Sequence, residues 1–117
     1  MVLITCLANV ATQVGAYSTP WGTNATRDVQ VTGALASIPT TAVAALANVT
    51  AVAPTAGGYL TVFPKGADRP LASSLNWAAG QTIPNSVTAK IGTTGKIQAY
   101  NAVGTVHVLM DVSGYYG

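Results

Sequence analysis

Residues able to do chemistry are scarce in this chain: one histidine, one cysteine, three aspartates and no glutamate. His107 and Asp111 stand four apart near the end of the chain, and with Cys6 or a nearby serine they would supply a base, an orienting acid and a nucleophile. Spacing argues against that use. In an extended strand such residues share a face but lie roughly 13 Å apart, too far for the carboxylate to orient the imidazole. His107 then reads as an ordinary strand histidine, and Asp111, just before Ser113-Gly114, as an acceptor of backbone hydrogen bonds at a final turn. Glycoside hydrolysis needs two carboxyl groups in matched surroundings, and Asp28, Asp68 and Asp111 each have a local structural reading instead. One histidine and one cysteine cannot build a zinc cage. Calcium held by backbone carbonyls with Asp68 or Asp28 is the metal chemistry the composition leaves open. No glycine-rich phosphate loop opens a helix. The expectation is no catalysis, no cofactor and no metal site.

Contact chemistry is better represented. The loop at 14–26, VGAYSTPWGTNAT, carries Tyr17 and Trp21, and a loop of that length usually binds something or packs as an arm. Trp21 between Pro20 and Gly22 offers a stacking platform for a sugar ring, or a plug for a core edge or subunit contact. The stretch PKGADRP groups Lys65, Asp68 and Arg69, the most charged loop of the chain. These three read either as ligand contacts or as a solvated turn with a local Asp-Arg or Asp-Lys pair, worth under about 1 kcal/mol. Asn24-Ala25-Thr26 and Asn48-Val49-Thr50 match glycosylation acceptors in form only.

The elements that must position these residues are strands. Half of the 117 residues are hydrophobic, but only 7% are aromatic and 7% charged, with a mean hydropathy of +0.42. A soluble monomer ordinarily carries about a quarter charged residues, so this surface must be neutral and Thr/Ser/Asn-rich or partly covered by other subunits, and an assembly is the expectation. The net charge of +2 is dispersed, with no stripe to follow a phosphate backbone, which argues against nucleic-acid binding. A single cysteine excludes an internal disulfide, and Cys6 reads as a small buried hydrophobe on the apolar face of a strand over 2–13. The opening MVLITCLANVA lacks the basic start of a secretion signal and reads as part of the fold. No run approaches the ~18 apolar residues of a membrane helix.

The stretch from Val43 to Pro64 predicts a hairpin: two Val/Thr/Ala-rich and alternating runs joined through Pro54 and Gly57-Gly58. Further strands are predicted over 27–33, with Val29 and Val31 facing inward, and over 71–77, 86–91, 96–100 and 105–112, the last three as a meander. Turn signals recur every 8–12 residues, with no sustained helical period. The expected fold is all-β: a single antiparallel β-sandwich or barrel-like domain of seven to eight strands. Residues 1–28 read as an N-terminal strand and loop arm that makes contacts, and 29–117 as the module proper.

An ordered set of motifs runs through that module: LANVTAVAPTAGGYLTVFPKG, RPLASSLNWAAGQTIPNSV, the G-x-x-G-K turn, Tyr100-Asn101 and the closing DVSGYYG. It resembles the β-rich modules of actinobacterial secreted and surface proteins, over roughly three-quarters of the chain. The family's opening Asp-Thr-Arg strand end has no counterpart in 1–28, and Ala47 precedes Asn48 where the family has Leu-Asn-Val-Thr. The resemblance implies a non-enzymatic module with Trp77 in its core. With so few charges, it leads to a self-associating protein that decorates an extracellular surface or a phage particle. The alternative is a carbohydrate- or cell-wall-binding accessory module using Trp21, Tyr17, Lys65, Asp68 and Arg69.

Overall fold

The computed structural model describes residues 19–32 and 38–117. Seven strands form two antiparallel sheets facing each other, a β-sandwich with no closed barrel. The strands are β1 (Ala25–Gln30), β2 (Ala44–Val52), β3 (Gly58–Pro64), β4 (Leu75–Trp77), β5 (Ile83–Lys90), β6 (Lys96–Asn101) and β7 (His107–Tyr116). One sheet runs β1-β6-β3-β4 and the other β5-β2-β7. The expected strand at 2–13, with Cys6, lies outside the described residues, as does Tyr17. The boundary expected after residue 28 falls inside β1, whose Val29 is buried as predicted.

The period-two pattern places the core. Along β2, Ala45, Ala47, Val49 and Ala51 turn inward, and Val108, Met110 and Val112 do so along β7. Alanines leave space at the centre of the small sheet. Trp21, Leu60, Ile97 and Ile38 are the large buried side chains that help fill the interior to close packing. Trp77 is buried as expected, and its indole N–H donates to the Ala56 carbonyl at 3.1 Å. In β7 the pairing with β2 slips between Leu46 and Ala47, leaving Ser113 without a register partner. This bulge, not the expected final turn, occupies Ser113-Gly114, and it brings Tyr115 to the core side. Asp111 is therefore a mid-strand residue facing outward beside Asn48.

Two expected pairings are replaced. β2 and β3 do not form a hairpin: β2 lies between β5 and β7, and β3 between β4 and β6. The connection crosses the sandwich, because residues 53–57 bond to other loops and not across a turn of their own. Thr55 N–H reaches the Thr105 carbonyl at 2.9 Å, and Gly80 N–H reaches that of Pro54 at 2.7 Å. Nor are β5, β6 and β7 a meander: the chain passes from the small sheet to the large one and back. At the first passage Thr93–Gly95 makes a single 3-10 turn with Thr94 at φ 57 and Gly95 at φ 75. Of the expected strand 71–77 only Leu75–Trp77 pairs, since the preceding loop lies against the outside of the large sheet.

Candidate interaction surfaces

Residues two apart on a strand share a face, so β1 and β6 line the outside of the large sheet with Thr26, Asp28 and Gln30 beside Tyr100, Gln98 and Lys96. Tyr59, Thr61 and Phe63 of β3 continue it. Over this face runs the 65–74 loop, held by the Thr61 hydroxyl to the Ala72 carbonyl at 3.3 Å and by Val62 N–H to Ser74 Oγ at 2.9 Å. Phe63 and Tyr100 on this face are almost wholly buried.

Lys65 does not pair within its loop. Its ammonium reaches across the sheet to the Asp28 carboxylate at 2.8 Å, and the Gln98 side-chain amide donates to the other Asp28 oxygen at 2.9 Å. Together these hold the Asp28 carboxyl below its ordinary value, Lys65 contributing most, with burial opposing. Arg69 also has no acidic partner among the described residues. Its guanidinium stacks 3.7 Å over the Tyr100 ring, worth about 0.5–1 kcal/mol at an exposed position. Tyr100 in turn donates its hydroxyl to Asn24 Oδ1 at 2.8 Å and meets the Tyr59 ring at 6.2 Å. Asp68 is exposed, outside any ion pair among the described residues. The expected Asp-Arg or Asp-Lys pair within the loop is thus replaced by two braces that fasten the loop to the sheet. Both were missed in the sequence because their partners lie on other strands, although the Lys96, Gln98, Tyr100 alternation marked one outward row.

Trp21 is no platform. It is fully buried, its indole N–H donates to the Ala99 carbonyl at 2.9 Å, and its backbone pairs with Val106. Arg27 closes it from outside, 4.7 Å from the ring centroid, while donating to the carbonyls of Thr19 and Pro20 at 2.8 Å each. The flanking Pro20 and Gly22 suggested exposure. The controlling fact is non-local, since the Trp21–Val106 bridge carries the ring between the sheets. Of the five candidate contact residues, the structure brings Lys65 and Arg69 onto one face, leaves Asp68 exposed in the loop and removes Trp21 to the core, while Tyr17 lies outside the described residues.

The outside of the small sheet is different. β2 presents Ala44, Leu46, Asn48, Thr50 and Val52, flanked by Leu109 and Asp111 of β7 and by Pro84, Ser86 and Thr88 of β5. Lys90, Asp111 and His107 are its ionisable side chains, dispersed and without convergence. At one end Val43 and Tyr116 are each 56% exposed and joined by the Val43 N–H to Tyr116 carbonyl bond at 2.7 Å. Among the described residues no group of three or more His, Cys, Asp or Glu could hold a metal ion, and no helix is long and apolar enough to cross a membrane. No protein-family model and no curated protein matches this chain.

Proposed function

We propose that this chain is a non-catalytic β-module that acts by contact, associating with copies of itself or decorating a larger extracellular surface or phage particle. One observation carries the reading: three of the chain's few cations are engaged in holding the fold. Lys65 pins its loop to Asp28, Arg69 stacks on Tyr100 and Arg27 closes over Trp21. The outside of the small sheet presents alanine, threonine, asparagine and leucine, with Lys90, Asp111 and His107 dispersed among them, a surface suited to another protein. The resemblance of its motifs to those of actinobacterial surface modules is what supports the extracellular setting.

A carbohydrate-binding role draws less support, because the aromatic platform it needed, Trp21, is sealed in the core. Sedimentation velocity on the purified chain over a wide concentration range tests the proposal. Oligomers, or co-sedimentation with the source particle, are the expected outcome. A strict monomer retained on immobilised polysaccharide would transfer the reading to the carbohydrate alternative.

A further inference from the structure

Among the described residues each sheet has two edge strands, and they differ in how they are protected. β4 has three residues, too short to template another strand. β1 carries Arg27 and Asp28 at its middle, and β7 is broken by the bulge at Ser113; charge and bulges are the usual guards of an edge. β5 differs: among the described residues it pairs with β2 alone, and five of its eight residues are exposed. From Ile83 to Ala89 it carries no charge, Lys90 standing at its very end. Pro84, tolerated in a sheet chiefly on an edge, and terminal Lys90 are its only guards.

Resting on the self-association reading above, we propose that β5 pairs antiparallel with β5 of a second copy about a two-fold axis at Val87, joining the two small sheets into one of six strands. The occupant follows from the strand itself. Inward and outward side chains keep their faces only if a residue lies on the axis, and Val87 is the midpoint of the run from Pro84 to Lys90. That register sets Val87 against Val87 on the core side, where it already packs on the hydrophobic core. On the outside it sets Ser86 against Thr88 of the second copy, a hydroxyl pair that suits neighbouring strands. Lys90 lies opposite Pro84, so no like charges meet.

The test uses the full chain with Cys6→Ser as background. Val87→Cys places two thiols directly opposite, within disulfide reach, and a covalent dimer is expected under mild oxidation. Ser86→Cys, whose own copy lies on the diagonal about 7–8 Å away, is expected to stay unlinked. Ser86→Lys with Thr88→Lys sets like charges across the axis on exposed positions, and is expected to weaken association at least tenfold with an unchanged circular dichroism spectrum. Association that survives both lysines, or Ser86→Cys linking as readily as Val87→Cys, overturns this interface while leaving self-association standing. A chain monomeric at every concentration overturns both.

Discussion

On the outside of the large sheet, Asp28 with Lys65 and Gln98, and Tyr100 with Arg69, fasten a loop across the strands. On the outside of the small sheet no such loop is fastened among the described residues, and Leu46, Thr50 and Leu109 face outward between scattered polar neighbours. Both faces belong to the same sandwich, yet among the described residues only the large-sheet face carries a loop fastened by side chains. Each brace is weak, under about 1 kcal/mol for an exposed ion pair or stacked guanidinium, so its effect is to fix where the loop lies more than to stabilise the core. The contrast suggests a division of labour, with the large sheet closing itself and the small one left for contact.

The largest expected effect comes from the residue that ties the two halves together. Trp21 bonds to Ala99 of the large sheet and pairs with Val106 beside the small one. Trp21→Ala should cost about 3–5 kcal/mol in urea unfolding, and the loss should appear as one transition because both faces depend on it. Trp21→Phe, a smaller ring without the indole N–H that donates to the Ala99 carbonyl, should cost about 1–3 kcal/mol. Two separated transitions would mean that the faces are independent units, and the comparison would have to be redrawn.

Next comes the passage between sheets. A Cβ on Gly92 would collide with the Lys65 backbone, where Thr93 N–H meets the Lys65 carbonyl at 2.9 Å and Lys65 N–H meets that of Lys96 at 3.2 Å. Gly92→Ala should therefore destabilise by about 2–3 kcal/mol and loosen the root of the fastened loop. Gly22→Ala, with no atom within 4 Å of the added carbon, should stay within about 0.5 kcal/mol of the parent. Equal effects from the two would show that the Gly92 crowding is absorbed by a small shift.

How much of this was legible depends on how far apart in sequence the deciding residues are. Alternation predicted strands and the inward Val29 and Val31 because it is a property of neighbours two apart. Pro54 with Gly57-Gly58, and Gly92 with Gly95, marked where the chain changes direction but carried no information about the sheet it joins next. That choice is made by partners such as Thr105 for Thr55 and Lys65 for Thr93. Both misplaced pairings, the hairpin and the meander, have this cause. Trp21 was ambiguous for a related reason: its small neighbours permit a platform or a plug, and the strand next to Val106 decides. The Lys65–Asp28 brace was hidden because Asp68 and Arg69 were nearer in sequence than Asp28.

Smaller effects separate the two outward faces directly. Tyr100→Phe removes the 2.8 Å bond to Asn24 and should cost about 0.5–1.5 kcal/mol. Arg69→Ala removes the stack alone, for about 0.5–1 kcal/mol, with faster proteolysis of the 65–74 loop. On the other face, Asn48→Ser at an exposed outward position should change stability by less than about 0.5 kcal/mol. Thermal melts of the three variants rank them. An Asn48 effect as large as that of Tyr100 would erase the distinction between a closed face and an open one.

The smallest effect carries a sign that only the braced face can produce. Lys65 and Gln98 lower the Asp28 carboxyl from its ordinary 3.8 in the folded chain. The unfolded chain therefore binds the proton more readily. The contribution is complete above 3.8 and disappears as pH falls through the lower folded value. Because both partners are one-third exposed, solvent screens the pair and the loss should stay under about 1 kcal/mol, shrinking further in salt. Asp28→Asn should remove this portion of the acid dependence. Backbone amide exchange followed from about pH 5 to about pH 2, corrected for the intrinsic rate, should show Gln98 losing protection before Asn48. If the two amides lose protection together, and Asp28→Asn leaves the acid limb unchanged, then Asp28 is not what closes the large-sheet face, and the loop is held by the Thr61–Ala72 and Val62–Ser74 bonds alone.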